Sequence, residues 1–406
     1  MIDRPWFKNR ITNALRRSRA VAILGARQCG KSTLARQISA DPQATYFDLE
    51  DPEHAARLSN PKLALARCKG LVVIDEAQRR PEVYPVLRVL LDREPLPAKF
   101  LLLGSASPAL TQGLSDSLAG RVEYVALTGF QPDELPAEER DLLWERGGFP
   151  RSFLATTDAD SIAWRRSFVQ SMAERDLRLL GVDLPPDTVR RFLSMVAHCH
   201  GQTWNSSAIA GSMQVAHTTT RRYLDLLTGA YLIRQLPAWF ENVGKRQVKA
   251  PKAYIRDSGL LHALLGVQTI GELAGHPKLG ASWEGFVVET LLSRCPEADA
   301  YFWGTHAGAE LDLLLVRGER RLGFEIRYTE SPHTTKAMHV ALETLKLEAL
   351  YVVYPGQHQF PLTERCEAIS LGGAVAVAQS LASPRPGGIS TPHRRDRLAP
   401  SDRLRS

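Results

Sequence analysis

The segment Gly25-Ala26-Arg27-Gln28-Cys29-Gly30-Lys31-Ser32 meets the pattern G-x-x-x-x-G-K-[ST] at every fixed position. It follows the apolar run Ala20-Val21-Ala22-Ile23-Leu24 and runs on into Thr33-Leu34-Ala35-Arg36-Gln37-Ile38, so strand, glycine-rich turn and helix come in the order that a phosphate cradle needs. Glycines let the backbone curl with its N–H groups turned inward, and the opening of a helix adds partial positive charge. Residues Gly25 to Thr33 are therefore expected to hold a polyphosphate, with Lys31 on the β- and γ-phosphates and the Ser32 hydroxyl on Mg²⁺.

Four further apolar runs follow at spacings that leave room for helices: Thr45 to Leu49, Leu71 to Asp75, Phe100 to Gly104 and Val122 to Leu127. Strands covered on both faces read as continuous apolar runs, so the expectation is an α/β fold, a P-loop NTPase parallel sheet flanked by helices. The third run closes on Asp75-Glu76, at the strand end where ligands bind in open α/β sheets. An acidic pair there can simply cap a turn; behind a phosphate loop, Asp75 is expected to hold Mg²⁺ through its water shell and Glu76 to polarise an attacking water. Ser105, followed by Ala106 and Ser107, ends the next run, on the strand expected between the other two. It is placed to touch that water or the γ-phosphate, and serine is equally a helix cap. Arg121 opens the last strand and is either an arginine finger, within the chain or across to a second copy, or a surface ion pair.

At 406 residues the chain is long enough for two or three domains, and 44% hydrophobic with 23% charged residues is ordinary globular composition. The start carries Asp3, Arg4 and Lys8 where a signal peptide would be apolar, and no apolar run reaches membrane-span length, so a cytoplasmic protein without a membrane partner is expected. Five scattered cysteines form no C-x-x-C pair, and the adjacent His198-Cys199-His200 would point in different directions on a helix, which favours a structural role over metal binding. The net charge is +7, but from Pro384 onward six arginines face two aspartates, so a balance of +4 sits in a Pro-, Gly- and Ser-rich tail expected to be disordered. Overall basicity is thus weak support for nucleic-acid binding.

These motifs resemble the bacterial and archaeal AAA+-like ATPases that carry a C-terminal domain of unknown function. The resemblance lies in Leu24-Gly25-Ala26-Arg27-Gln28-Cys29-Gly30-Lys31-Ser32-Thr33-Leu34, Ile74-Asp75-Glu76-Ala77-Gln78, Gly104-Ser105-Ala106 and Ser117-Leu118-Ala119-Gly120-Arg121. It continues through Gly147-Gly148-Phe149-Pro150, Glu174-Arg175-Asp176-Leu177 and Tyr254-Ile255-Arg256-Asp257-Ser258-Gly259-Leu260. Ala26 stands where the family usually has proline. The resemblance implies ATP as the nucleotide; no guanine-selective N-K-x-D motif is present.

Beyond residue 135 a helical linker or lid is expected over 136–186, then a winged helix-turn-helix over 187–270. Its helices are Arg190 to His200, a second capped by Asn205, and a third from His217 to Leu227, before a strand at Tyr231 to Leu236. Hydroxyl and basic groups open the third helix, and Lys245, Arg246, Lys249 and Lys252 add a basic segment, which suits either DNA contact or a solvated face on a packing module. Residues 271–383 read as a second α/β domain, with 384–406 as the basic tail. Glu310 and Asp312, like Glu325 and Arg327, lie two apart and share a strand face; with Glu289 from the preceding helix, these carboxylates are candidates for a second divalent-metal site. The arrangement resembles the PD-(D/E)xK nuclease superfamily, whose motif ends E-x-K. Arg327 takes the lysine's place and, never deprotonating, cannot accept a proton. Three functions remain open: an Mg²⁺-dependent ATPase driving C-terminal modules on DNA or protein, a nucleotide-occupied switch or scaffold with negligible turnover, and an ATP-gated DNA nuclease. A homo-oligomer joined through Arg121 is compatible with the first.

Overall fold

The computed structural model describes residues 2–40, 42–105, 117–179, 184–240, 250–305 and 308–381. Ala106, Ser107, Lys245, Arg246, Lys249 and the tail from Pro384 lie outside the described residues.

Helix α1 (Pro5–Arg17) starts on a proline and buries Phe7, Ile11, Ala14 and Leu15, the stripe of a helix lying on a sheet. Next come β1 (Ala20–Gly25), α2 (Lys31–Ile38), β2 (Thr45–Asp48), β3 (Gly70–Asp75), α3 (Val83–Leu91), β4 (Ala98–Ser105) and β5 (Val122–Ala126). The five strands pair in parallel in the order β2-β3-β4-β1-β5. This is the P-loop NTPase fold expected from the apolar runs. Val21 and Ile23 face one core, and Ala20, Ala22 and Leu24 face the other, so β1 is buried on both sides. The strand that ends at Ser105 does lie between β1 and β3.

The middle of the chain holds α4 (Arg140–Arg146) and α5 (Asp158–Ser171), which continues into a π-helical turn at Met172–Asp176. Then come α6 (Pro186–His198), β6 (Gln202–Thr203), α7 (Ser206–Met213), α8 (His217–Gly229), β7 (Ile233–Leu236), β8 (Lys252–Ile255) and α9 (Ser258–Leu265). The Asn205 side chain caps α7 by accepting from Ala208 N. The three short strands form an antiparallel sheet in the order β6-β8-β7. Phe192, Tyr223 and Leu224 of these helices share one core with α1 and one face of the parallel sheet.

The C-terminal part comprises α10 (Leu279–Arg294), β9 (Asp299–Gly304), β10 (Glu310–Arg317), β11 (Arg320–Ile326), α11 (Lys336–Thr344), β12 (Ala349–Val353), β13 (Phe360–Thr363), β14 (Cys366–Ile369) and α12 (Leu371–Ser380). Its mixed sheet runs β13-β14-β12-β11-β10-β9. The outer edge of β9 is covered by the residues after β7: Trp239 N donates to Phe302 O and Phe302 N to Pro237 O, at 2.7 and 2.9 Å. Covering an edge in this way satisfies its free backbone groups and blocks pairing with other chains.

Candidate functional site

The glycine-rich turn is shaped by close approach. A Cβ on Gly25 would lie 2.3 Å from the carbonyl oxygen of Leu127, so no larger residue fits without moving backbone. Gln28 and Gly30 take left-handed conformations, with φ of 61° and 99°, and Gly30 is the N-cap of α2. Lys31 is buried, and its Nζ donates to Gly25 O and Ala26 O at 3.1 and 2.9 Å, which folds the ammonium back over the turn. Ser32 stands half-buried on the first turn of α2, and Thr33 is exposed. Cys29 is buried with its thiol 3.6 Å from Leu127 O, so it supports the turn from below.

Asp75 ends β3 almost fully buried. Its two oxygens are held, Oδ2 by the Tyr46 hydroxyl at 2.6 Å and Oδ1 by Glu76 N at 3.0 Å. Burial and the adjacent carboxylate push the Tyr46 hydroxyl well above its ordinary range, so it stays a proton donor to Asp75. Glu76 has a left-handed backbone, φ 53°, and accepts from the Gln78 side-chain amide. Register pairs Gly25 with Ser105 across β1 and β4, so the loop, Ser105 and Asp75 share the C-terminal edge of the sheet. A buried lysine, a hydroxyl at the helix start and a buried carboxylate one strand away form a donor set that suits a polyphosphate with Mg²⁺.

Arg121 is elsewhere. It pairs through both guanidinium arms with Asp92, at 2.8 and 2.9 Å, just before β5, whose Val122 pairs with Ala20 at the start of β1. Five residue steps of strand, about 16 Å at ~3.3 Å each, separate that edge from Gly25. A finger acting within the chain is therefore ruled out by the direction of the parallel strands.

Two contacts tie the loop to the middle of the chain. Arg27 pairs with Asp176 of the π-helical turn at 2.5 Å, and a Cβ on Gly30 would lie 3.7 Å from Pro150. Pro150 belongs to Gly147-Gly148-Phe149-Pro150, which is gripped by Asp257: Oδ2 accepts from Gly148 N at 2.7 Å, while Oδ1 caps α9 by accepting from Leu260 N at 2.9 Å. Desolvation raises the Asp257 carboxyl to about 6, against the pull of those backbone donors. The grip on Gly148 joins residues more than a hundred positions apart, so no local sequence signal marks it.

In the C-terminal domain, Leu313 pairs with Phe324, which sets Asp312 opposite Glu325, and Asp312 Oδ2 accepts from Ile326 N at 2.9 Å. Glu310 stays exposed at the mouth of the same pocket, whose volume is about 510 Å³. Glu289 does not join them. It lies between Arg234 and Arg256, 2.9 Å from the latter, and those guanidiniums hold its carboxyl below the usual range despite burial. The helical carboxylate in the pocket is Glu284, five residues earlier and so on another face of α10. Glu284 accepts from the Tyr254 hydroxyl at 2.6 Å.

Lys252 also belongs here, not on a basic surface. It is buried, with Nζ 3.2 Å from Glu284 and 3.5 Å from Asp312. Arg327 pairs with Glu325 at 2.5 Å and is half exposed. Burial raises Glu284 to about 7 and Glu325 to about 8. Among the described residues no group of three or more His, Cys, Asp or Glu is arranged to hold a metal ion, so the second metal site expected from Glu289, Glu310, Asp312 and Glu325 is not formed.

Of the residues expected to face DNA, His217, Thr218, Arg221 and Arg222 are exposed at the start of α8. Thr220 is buried and donates to Ser206 O and His217 O, fastening α8 to α7. In the His198-Cys199-His200 cluster, His200 is buried and its Nδ1 accepts from Ile255 N at 2.9 Å, while His198 is exposed. No helix among the described residues is long and apolar enough to cross a membrane.

Three family models match the chain: an AAA domain over residues 17–135, a Domain of unknown function (DUF8612) over 137–270, and a Domain of unknown function (DUF4143) over 279–373. Two mycobacterial proteins, the uncharacterized protein Rv2008c of Mycobacterium tuberculosis and the uncharacterized protein Mb2031c of Mycobacterium bovis, are each 48% identical over 369 residues, 91% of this chain and 84% of theirs. Among solved structures, the Walker-type ATPase PABY2304 of Pyrococcus abyssi aligns at 15% identity over 65% of this chain and 96% of its own, with a TM-score of 0.47.

Proposed function

Since this chain belongs to the family of the two mycobacterial proteins and carries an AAA domain, we propose that it is a Mg²⁺-dependent ATPase that couples nucleotide turnover to its middle and C-terminal units. The observation that carries this is the buried pair Lys31 and Asp75 at one edge of the parallel sheet, with Glu76 beside them. Lys31 exchanges its bonds to Gly25 O and Ala26 O for phosphate oxygens. Ser32 and, through the water shell, Asp75 would hold Mg²⁺, which would supply positive charge against the transferring phosphoryl group. Tyr46 fixes the Asp75 carboxylate. Glu76 orients the attacking water and takes its proton, and Ser105 ends the neighbouring strand at the same edge of the sheet.

Arg121 fits a finger only toward the site of a second copy, so the reading includes a homo-oligomer. The exposed start of α8 supports DNA as the partner, with α7 and α8 as a winged-helix reader, and the protein works in the cytoplasm. The C-terminal pocket supports nuclease chemistry less well: Arg327 cannot accept a proton, and Lys252 already stands among the carboxylates.

Replacing Glu76 by Gln should leave binding of a fluorescent ATP analogue within about threefold and lower turnover by about 10²-fold or more, whereas Lys31→Ala should lose binding. Undiminished hydrolysis by Glu76→Gln would remove the assignment of Glu76.

A further inference from the structure

A cavity of about 490 Å³ lies where α1, the edge strand β5, β7 and the C-terminal end of α10 meet. Three arginines, Arg10, Arg234 and Arg256, line it together with Trp6, Tyr124 and Tyr231, and none of Gly25 to Thr33 does. Arg234 and Arg256 share one carboxylate: Arg234 donates to Glu289 from Nε and Nη2, and Arg256 from Nε at 2.9 Å. Two guanidiniums against one carboxylate leave one positive charge over. Arg10 pairs with Glu297 at 2.6 Å, and Asp299, exposed at the rim, forms no ion pair among the described residues.

The remaining donors are open. Nη1 of Arg234 and both terminal amino groups of Arg256 have no hydrogen-bond partner among the described residues, and none of the three is sealed from solvent. Arg256 is otherwise well covered, its side chain 13% exposed and its guanidinium 5.1 Å from the centre of the Tyr231 ring. Burial pulls that guanidinium below its ordinary range even with Glu289 beside it, so a second anion within reach is favoured. Tyr231 itself sits just past α8, where Leu232 N donates to Leu227 O and Tyr231 N to Thr228 O, both at 3.0 Å. Its φ of 61° is the left-handed position that glycine normally fills at such a helix end. A bulky aromatic there is strained, and the strain places its ring under Arg256.

We propose that this cavity binds the phosphate group of a small molecule, as free phosphate or as a phosphate ester, on Arg256 and Arg234, with Glu289 holding both guanidiniums in place. Two guanidinium forks at one place suit the three terminal oxygens of a phosphate better than the two of a carboxylate. The volume is that of a small-ligand site, and the aromatic wall suits an organic remainder. This goes beyond the ATPase reading and does not depend on it.

Equilibrium dialysis of the full chain, wild type and Lys31→Ala, against inorganic phosphate, phenyl phosphate and acetate tests it. In both chains one site is expected with a dissociation constant at or below about 1 mM for one of the two phosphates. Adding Arg256→Gln should weaken that site by about tenfold or more, and Arg234→Gln provides the same comparison should the Arg256 variant not fold. Tighter binding of phenyl phosphate would assign the site to an ester, and equal or weaker binding to the free ion. Phosphate binding that Lys31→Ala abolishes, binding that a folded Arg256→Gln or Arg234→Gln chain keeps in full, acetate bound as tightly, or no site up to about 10 mM of either phosphate would each overturn the proposal.

Discussion

Glu325 lies in a wall of buried strands, and burial beside Asp312 keeps its carboxyl protonated up to about pH 8 against an ordinary 4.5. Between those values the folded protein binds more protons than the unfolded chain, so this group's contribution is fully present below about 4.5 and is lost as pH rises through about 8. Glu325→Gln removes that titration. Its unfolding free energy from denaturant titration should fall less between pH 5 and pH 8.5 than that of wild type; an equal fall would show that Glu325 ionises normally. At this scale the turn at the start of α2 was legible, because its geometry is local: Gly30 caps the helix and Lys31 folds back over Gly25 and Ala26. The C-terminal carboxylates were legible only in part. Asp312 and Glu325 follow from two-residue strand alternation, but choosing Glu284 over Glu289 needs the packing of α10. Lys252 reads as one of four basic residues until β8 is seen to run into the pocket.

Among the elements, the parallel strands set Arg121 at the sheet edge opposite the loop. All five run the same way, so residues that open strands cannot reach a ligand at their ends. Arg121→Ala should therefore leave nucleotide affinity unchanged and lower turnover by about 10³-fold or more through loss of a neighbour's site. Mixing Arg121→Ala with Lys31→Ala should restore activity, since one copy keeps an intact loop and the other an intact arginine. Full activity of Arg121→Ala alone would leave the Asp92 pair as a surface contact. Strands β1, β3 and β4 were readable as apolar runs because both faces are covered. Strands β13 and β14 were not: β13 is exposed along most of its length and includes Pro361, so neither periodicity nor composition marks it.

Over the whole molecule, the units share cores. One cluster joins α1 and the parallel sheet to Phe192 and Leu224 of the middle unit, and another joins Leu236 and Tyr254 to Val287 and Phe324 of the C-terminal domain. Charged contacts follow the same path, from Arg27 to Asp176 beside the loop, through Asp257 and Gly148, to Lys252 in the C-terminal pocket. None of these long-range joins was legible in the sequence, since each links residues whose proximity only the fold creates. The proposed coupling starts from ATP turnover at the loop. Phosphate release by the full chain at saturating Mg²⁺-ATP, compared with Lys31→Ala and with magnesium chelated, tests it most directly. Steady release that both changes abolish is expected; release no greater than that of Lys31→Ala, at any protein concentration and with or without DNA, would rule out turnover and leave a nucleotide-held switch.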